Sequence, residues 1–318
     1  MSEISIEQAI YAAQGGAYRM WARSAGFLDE WQAEAERLCA GFGARPAGVT
    51  CPACLFAQPF GKDQVAVVQV ADQGSDGAGG PAALGFRLLI MARSSYVEWI
   101  GDPFAVADRF TPVWHVRGEL PALSWPAEPL PRRTVTQVQQ VLQRIDGPAE
   151  AGVPQAPTLL GGAQALVDGG KLVFVRPRPD TELLRSLWTL LPASTRCHLW
   201  PASYAFGNAL GFDVLVVPSA RHSDYAEYLS EEQAGDYPEG RYELNLQIAA
   251  ESGDQRGLDQ LFARRSSTQT LRLVVVLVIV AVVLLVAMKL LNLVFAPPAG
   301  KPPPPAGRAK VEGIIRER

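Results

Sequence analysis

The chain has 318 residues, 29 Lys and Arg against 32 Asp and Glu, and a net charge of −3. That balance offers no basic block for a nucleic-acid footprint and argues against nucleic acid as a main partner. Cys39, Cys51, Cys54 and Cys197 are too few for a disulfide scaffold, whereas the length suffices for one large or two modest cores.

In chain order, Gln8 to Ala13 and Tyr18 to Ala22 read as strands joined across Gly15-Gly16, which can take the positive φ of a tight hairpin. Phe27, Leu28, Trp31, Ala35 and Leu38 recur at helical spacing, so Leu28 to Cys39 is predicted as an amphipathic helix. Leu55 to Pro59 and Gln64 to Ala71 read as strands about the turn Gly61-Lys62-Asp63. A Gly- and Asp-rich loop, Gln73 to Gly80, leads to an apolar strand, Gly85 to Met91, and Asp102 to Phe110 reads as a short helix. Prolines crowd the stretch from Thr111 to Arg133, where regular structure is not expected. Thr134 to Ile145 and Leu159 to Val167 are predicted helices, and Lys171 to Val175 is a strand. Asp180 can cap a helix from Thr181 to Leu191, and Cys197 to Tyr204 and Phe212 to Val217 read as closing strands. Leu244 to Phe262 reads as a stalk helix.

Leu273 to Met288 is an unbroken uncharged apolar run, and if Lys289 snorkels it continues to Phe295. At about 1.5 Å per residue this is long enough for a hydrocarbon core of about 30 Å. Arg264, Arg265 and Arg272 precede it and Pro297, Pro298 and Lys301 follow it. The opening MSEISIEQAI has neither a basic n-region nor an apolar h-region, so a cytoplasmic N-terminal part is expected. The domain plan is therefore 1–110 and 134–218 as two α+β halves with mainly antiparallel strands, 111–133 as a connector, 219–271 as a charged helical stalk, 272–295 as one transmembrane helix, and 296–318 as a proline-rich tail.

Chemistry-bearing motifs are sparse. Cys51-Pro52-Ala53-Cys54 has the spacing of a redox pair or a zinc knuckle. Redox chemistry wants the first thiol at a helix N-terminus, and structural zinc wants four ligands. This pair enters a strand and has no second knuckle, so two buried thiols are expected, with Cys51 and Cys54 kept as the metal candidates. Gly77 to Ala82 fits GxGxxA, but a strand follows where a dinucleotide site needs a helix, and no cofactor is expected. His115, His198 and His222 fall in no acid/base or metal spacing. Trp114 and Trp125 lie among the connector prolines, as partner anchors or as staples between the halves. A short echo links Ala83-Leu84-Gly85-Phe86 with Ala209-Leu210-Gly211-Phe212, as either a duplication or two strands under one packing demand.

The opening Gln-Ala-Ile-Tyr strand, Gly15-Gly16, Ala22-Arg23-Ser24-Ala25-Gly26 and Gly101-Asp102-Pro103-Phe104 resemble the start of the GTPase-associated proteins of bacterial conflict systems. Leu183-Leu184, Leu190-Leu191-Pro192, Arg196 and Ser203-Tyr204 are similar to that family's middle domain. The resemblance covers Gln8 to Val217 and implies an adaptor that scaffolds a GTPase and an effector without catalysis of its own. The C-terminal anchor departs from that pattern. The expected function is thus a membrane-tethered, non-catalytic adaptor with protein partners, one of them a GTPase by resemblance, and with the bilayer met through Leu273 to Phe295. The alternative is a membrane-anchored hydrolase with its site between the two halves, where a Cys or Ser would sit beside a histidine.

Overall fold

The computed structural model describes residues 3–14, 17–73, 83–145, 156–220, 224–263, 276–285 and 288. The chain divides into two compact units, Met1–Ser267 and Thr268–Arg318. In the second, 276–285 is helical and every one of its side chains is exposed.

The first unit opens with a hairpin, β1 (Glu3–Gln14) and β2 (Ala17–Ser24), followed by a 3-10 turn (Asp29–Trp31) and α1 (Gln32–Gly41). Next come β3 (Cys54–Phe60), β4 (Gln64–Asp72) and β5 (Leu84–Ala92). α2 (Arg93–Ser95) runs into a π-helical turn (Tyr96–Ile100) before α3 (Pro103–Arg109). Two short strands, β6 (Gly118–Leu120) and β7 (Leu123–Pro126), precede α4 (Val135–Ile145) and α5 (Ala156–Val167). Then β8 (Lys171–Val175), α6 (Thr181–Leu190), α7 (Ala193–Arg196), β9 (Pro201–Ala202), β10 (Val214–Val217) and β11 (Tyr228–Leu229) follow. α8 (Glu231–Gly235), α9 (Arg241–Ser252) and α10 (Gln255–Phe262) complete the unit.

Among the described residues these strands make one mostly antiparallel sheet in the order β11-β8-β10-β9-β3-β4-β5-β1-β2-β6, with β7 on β1. The fold is therefore mixed α+β. β4 and β5 are buried on both faces, and their period of two sorts the side chains into two cores. Ala66, Val68, Val70, Phe86, Leu88 and Ile90 join the large cluster beneath the helices. Val65, Val67, Leu89 and Met91 join a smaller cluster on the other face, with Ile6, Tyr96, Val106 and Trp125.

Three expectations need correction. The second half was read as mainly antiparallel, but β10 pairs parallel with both β8 and β9, and β11 pairs parallel with β8. Helical crossovers such as α6 return the chain to the same edge, which parallel strands require. This also places the echo segments differently: β5 lies between antiparallel neighbours and β10 between parallel ones. Gly85 lies buried within β5, whereas Gly211 is exposed at φ 66° in the turn before β10, so the two segments play different structural roles.

The connector 111–133 holds two strands, because β6 pairs with β2 at the sheet edge and β7 pairs with residues 3–6 of β1. Its proline is tolerated because Pro126 ends β7 instead of interrupting a central strand. The stalk reading of 219–271 also fails. Gly253, at φ 69°, stops α9, and Asp254 starts α10 by accepting from the Arg256 and Gly257 amides. Tyr242, Leu246, Ala249, Ala250, Leu258 and Phe262 then turn inward onto the large core.

The two halves meet in a continuous seam. Phe56 pairs with Ala202 between β3 and β9, and the Phe206 amide donates to the Phe42 carbonyl at 2.9 Å. A Cβ at Gly43 would lie 2.6 Å from the Gly207 nitrogen, so only glycine permits this approach.

Candidate functional site

A cleft of about 360 Å³ opens between α3, α4 and α6. Its walls follow from helix ends. Asp102 caps α3, its Oδ1 accepting from the Phe104 and Ala105 amides at 2.9 and 3.2 Å. Asp180 caps α6 through the Leu183 amide at 2.9 Å, as its place before the helix predicts. From α6, Arg185 reaches back to Asp108 with two bonds of 2.7 and 2.6 Å, fastening α6 to α3. Arg196, on α7, donates to Asp102 Oδ2 at 3.3 Å.

Arg133 approaches the other end of α6. Its Nη1 donates to the carbonyls of Trp188, Thr189 and Leu191 at 3.2, 2.8 and 2.5 Å, meeting the negative end of the helix dipole. Burial, together with the like charge of Arg196, pushes the Arg133 guanidinium down to about 9, so it stays charged at neutral pH. The hydrogen bonds to Asp108 hold Arg185 above its ordinary value. Trp188, 1 % exposed, packs edge-on to Phe104 at 5.5 Å and lines the same cleft. Its Nε1–H, like the buried Nε–H of Arg196, has no acceptor among the described residues.

Cys51 and Cys54 do come together at the head of β3. Their sulfurs lie 3.5 Å apart as free, buried thiols. Asp72 accepts from the Cys51 amide at 2.8 Å and pairs with Arg45, so its carboxylate is already committed. Burial and the hydrogen bond shared with Cys51 push the Cys54 thiol well up, the opposite of what a reactive thiolate needs. Among the described residues no group of three His, Cys, Asp or Glu is placed to hold a metal. Replacing both cysteines by Ser should leave metal content unchanged and cost about 1–3 kcal/mol per hydroxyl left without a partner. Metal analysis and a urea titration check this; stoichiometric zinc lost in the double variant would sink the structural reading.

Trp125 and Trp114 go to different places. Trp125, 5 % exposed, packs into the smaller core with Phe110 at 6.1 Å and the Arg109 guanidinium 5.0 Å over its ring. It therefore staples the connector to the first half, where Trp125 also pairs with Ile4 of β1. Trp114 is only half-buried, against the edge cluster of Ile10, Ala22 and Leu120. His115 and His198 are exposed, while His222 and the Gly77–Ala82 stretch lie outside the described residues.

Sequence reasoning missed the cleft arginines and one buried network. Arg87, 6 % exposed on β5, donates through Nε and Nη2 to Gln8 Oε1 at 3.1 and 2.8 Å. Its Nη1 donates to Gln69 Oε1 at 3.2 Å and to the Phe110 carbonyl at 2.8 Å. Gln8 in turn donates to the Pro121 carbonyl at 2.7 Å, and Gln69 to those of Ala107 and Phe110 at 3.2 and 3.0 Å. The residues were visible, with Gln69 and Arg87 standing among apolar neighbours in β4 and β5, but their partners lie far away along the chain. Comparison with protein-family models, with curated proteins and with solved structures gives no match, so the site is read from its own chemistry.

Proposed function

We propose that this protein is a membrane-tethered, non-catalytic adaptor: a module of two α+β halves on the cytoplasmic side, held at a bilayer by one helix over Leu273 to Phe295. The observation that carries the reading is the helix 276–285, ten consecutive apolar residues that are all exposed. In water such a surface is costly on every side, and lipid would cover it. Among the described residues no helix is long and apolar enough to cross a membrane. A span needs about 20 residues, and the apolar sequence extends beyond these ten at both ends.

Tethering would act by confining partners near the membrane and so raising their effective concentration. A GTPase is the partner we favour, on the residues that carry the resemblance. The half-exposed Trp114 is the aromatic anchor left for it once Trp125 is committed to the core. The hydrolase alternative calls for a histidine beside a Cys or Ser. The described lining of the cleft holds Ser186 and Thr189 without a histidine, so we keep binding as the proposal.

Truncation after Ser267 tests the tether. The truncated chain should leave the membrane fraction and remain soluble, while the full chain should need detergent. If the truncated chain still partitions wholly with membranes, the anchor lies elsewhere and this reading is wrong.

A further inference from the structure

We propose that the cleft between α3, α4 and α6 is a binding site for a small organic anion, a carboxylate or phosphate headgroup carried on a compact apolar body.

Charge is the first argument. Arg133, Arg185 and Arg196 line the cleft against the carboxylates of Asp102 and Glu182. Arg185 is matched by Asp108, and Arg196 by Asp102. Among the described residues no carboxylate lies within 4 Å of Arg133; backbone carbonyls, which carry only partial charges, and the face of the Phe262 ring, 3.5 Å from its guanidinium carbon, meet it instead. A full charge held largely out of water attracts an anion more strongly than an exposed one does.

Hydrogen-bond chemistry points the same way. The two side-chain atoms of this wall without partners, Trp188 Nε1 and Arg196 Nε, are both donors. A ligand that satisfies them after a small shift of the wall must bring lone pairs, as carboxylate and phosphate oxygens do. Phe104, Leu130 and Val141 give the same cleft an apolar side. A volume of about 360 Å³ suits one ring-sized body with one headgroup. Both donors belong to residues that line a cleft of only ring-sized volume, which favours a small molecule over a side chain presented by another protein.

The test uses the full chain in detergent micelles, so it reads the cleft whether or not the apolar helix crosses a bilayer. Benzoate and inorganic phosphate are the anionic probes, and benzylammonium is the cationic control of benzoate's shape. The indole N–H resonance of Trp188, assigned with Trp188→Phe, and the thermal midpoint report binding. At least one anion should move both with a dissociation constant of about 1 mM or tighter, while benzylammonium moves neither. A response to benzoate alone assigns a ring-bearing carboxylate; a response to phosphate assigns a phosphorylated ligand. Two substitutions at the cleft rim should act in opposite directions without disturbing the core. Gln140→Glu should weaken the anion about tenfold, and Glu182→Gln should tighten it several-fold. No response to either anion at about 50 mM, or equal affinities in both variants, overturns the proposal. So does a response to polyglutamate but to neither small anion, which would give the cleft to a protein partner.

Discussion

Arg87→Met should lower the stability of the folded unit by about 3 kcal/mol, a large part of the 5–15 kcal/mol typical of a domain. Two effects compete. Burial pushes the Arg87 guanidinium down to about 10, a sign that holding this charge away from water is costly, and methionine removes that cost. Methionine also strips the donor from Gln8 Oε1 and Gln69 Oε1 at once, while the Phe110 carbonyl keeps the bond from Gln69 Nε2. Each buried acceptor left unpaired costs about 1–3 kcal/mol, so together they outweigh the relief. The loss should appear as a lower urea midpoint with little change in slope. Replacing Gln8 and Gln69 by Leu in the same chain should recover part of it, because the orphaned acceptors disappear with their side chains. The same network holds the end of α3 through Ala107 and Phe110 and the connector through Pro121, so amide exchange around 107–121 should accelerate in the single variant. A loss below about 1 kcal/mol would mean the guanidinium's own desolvation had set the balance.

Tyr242→Ala should cost about 3–5 kcal/mol, the range for emptying a large aromatic site in a core. Tyr242 is 1 % exposed, and its hydroxyl donates to the Leu190 carbonyl at the end of α6. Ile248, on the same helix, is 54 % exposed, and Ile248→Ala should change stability by no more than about 0.5 kcal/mol. The contrast separates a helix that forms a wall of the fold from a detached stalk, in which both changes would be mild. Besides this packing, α9 is held by Gln139 Nε2, which donates to the Ala250 carbonyl at 2.7 Å, and by the Glu243 amide, which donates to Gln164 Oε1 at 3.1 Å. Near-equal effects of the two substitutions, measured by denaturant titration of the full chain in detergent, would restore the stalk.

The antiparallel half was legible because its signals are local. The strands at 54–60, 64–72 and 84–92 announce themselves by apolar runs bounded by turns, and Asp102 and Asp180 mark helix starts by their own capping chemistry. The buried thiol pair was likewise readable from Cys51-Pro52-Ala53-Cys54 entering a strand. Other features were hidden for one reason: their partners are remote. Arg87 meets Gln8 from 79 positions away, Arg133 meets the end of α6 from 55 to 58 positions away, and Arg185 meets Asp108 across 77.

The amino-acid sequence by itself determined most of the helices and strands and the apolar character of 273–288, since side-chain period, capping and hydropathy act within a few residues along the chain. Only the tertiary structure decided that β8, β10, β9 and β11 run parallel, that α9 and α10 fold back onto the core, and that three arginines converge on one cleft. Those outcomes depend on which distant surfaces bury each other, and burial is a property of the whole packed unit that no local pattern encodes.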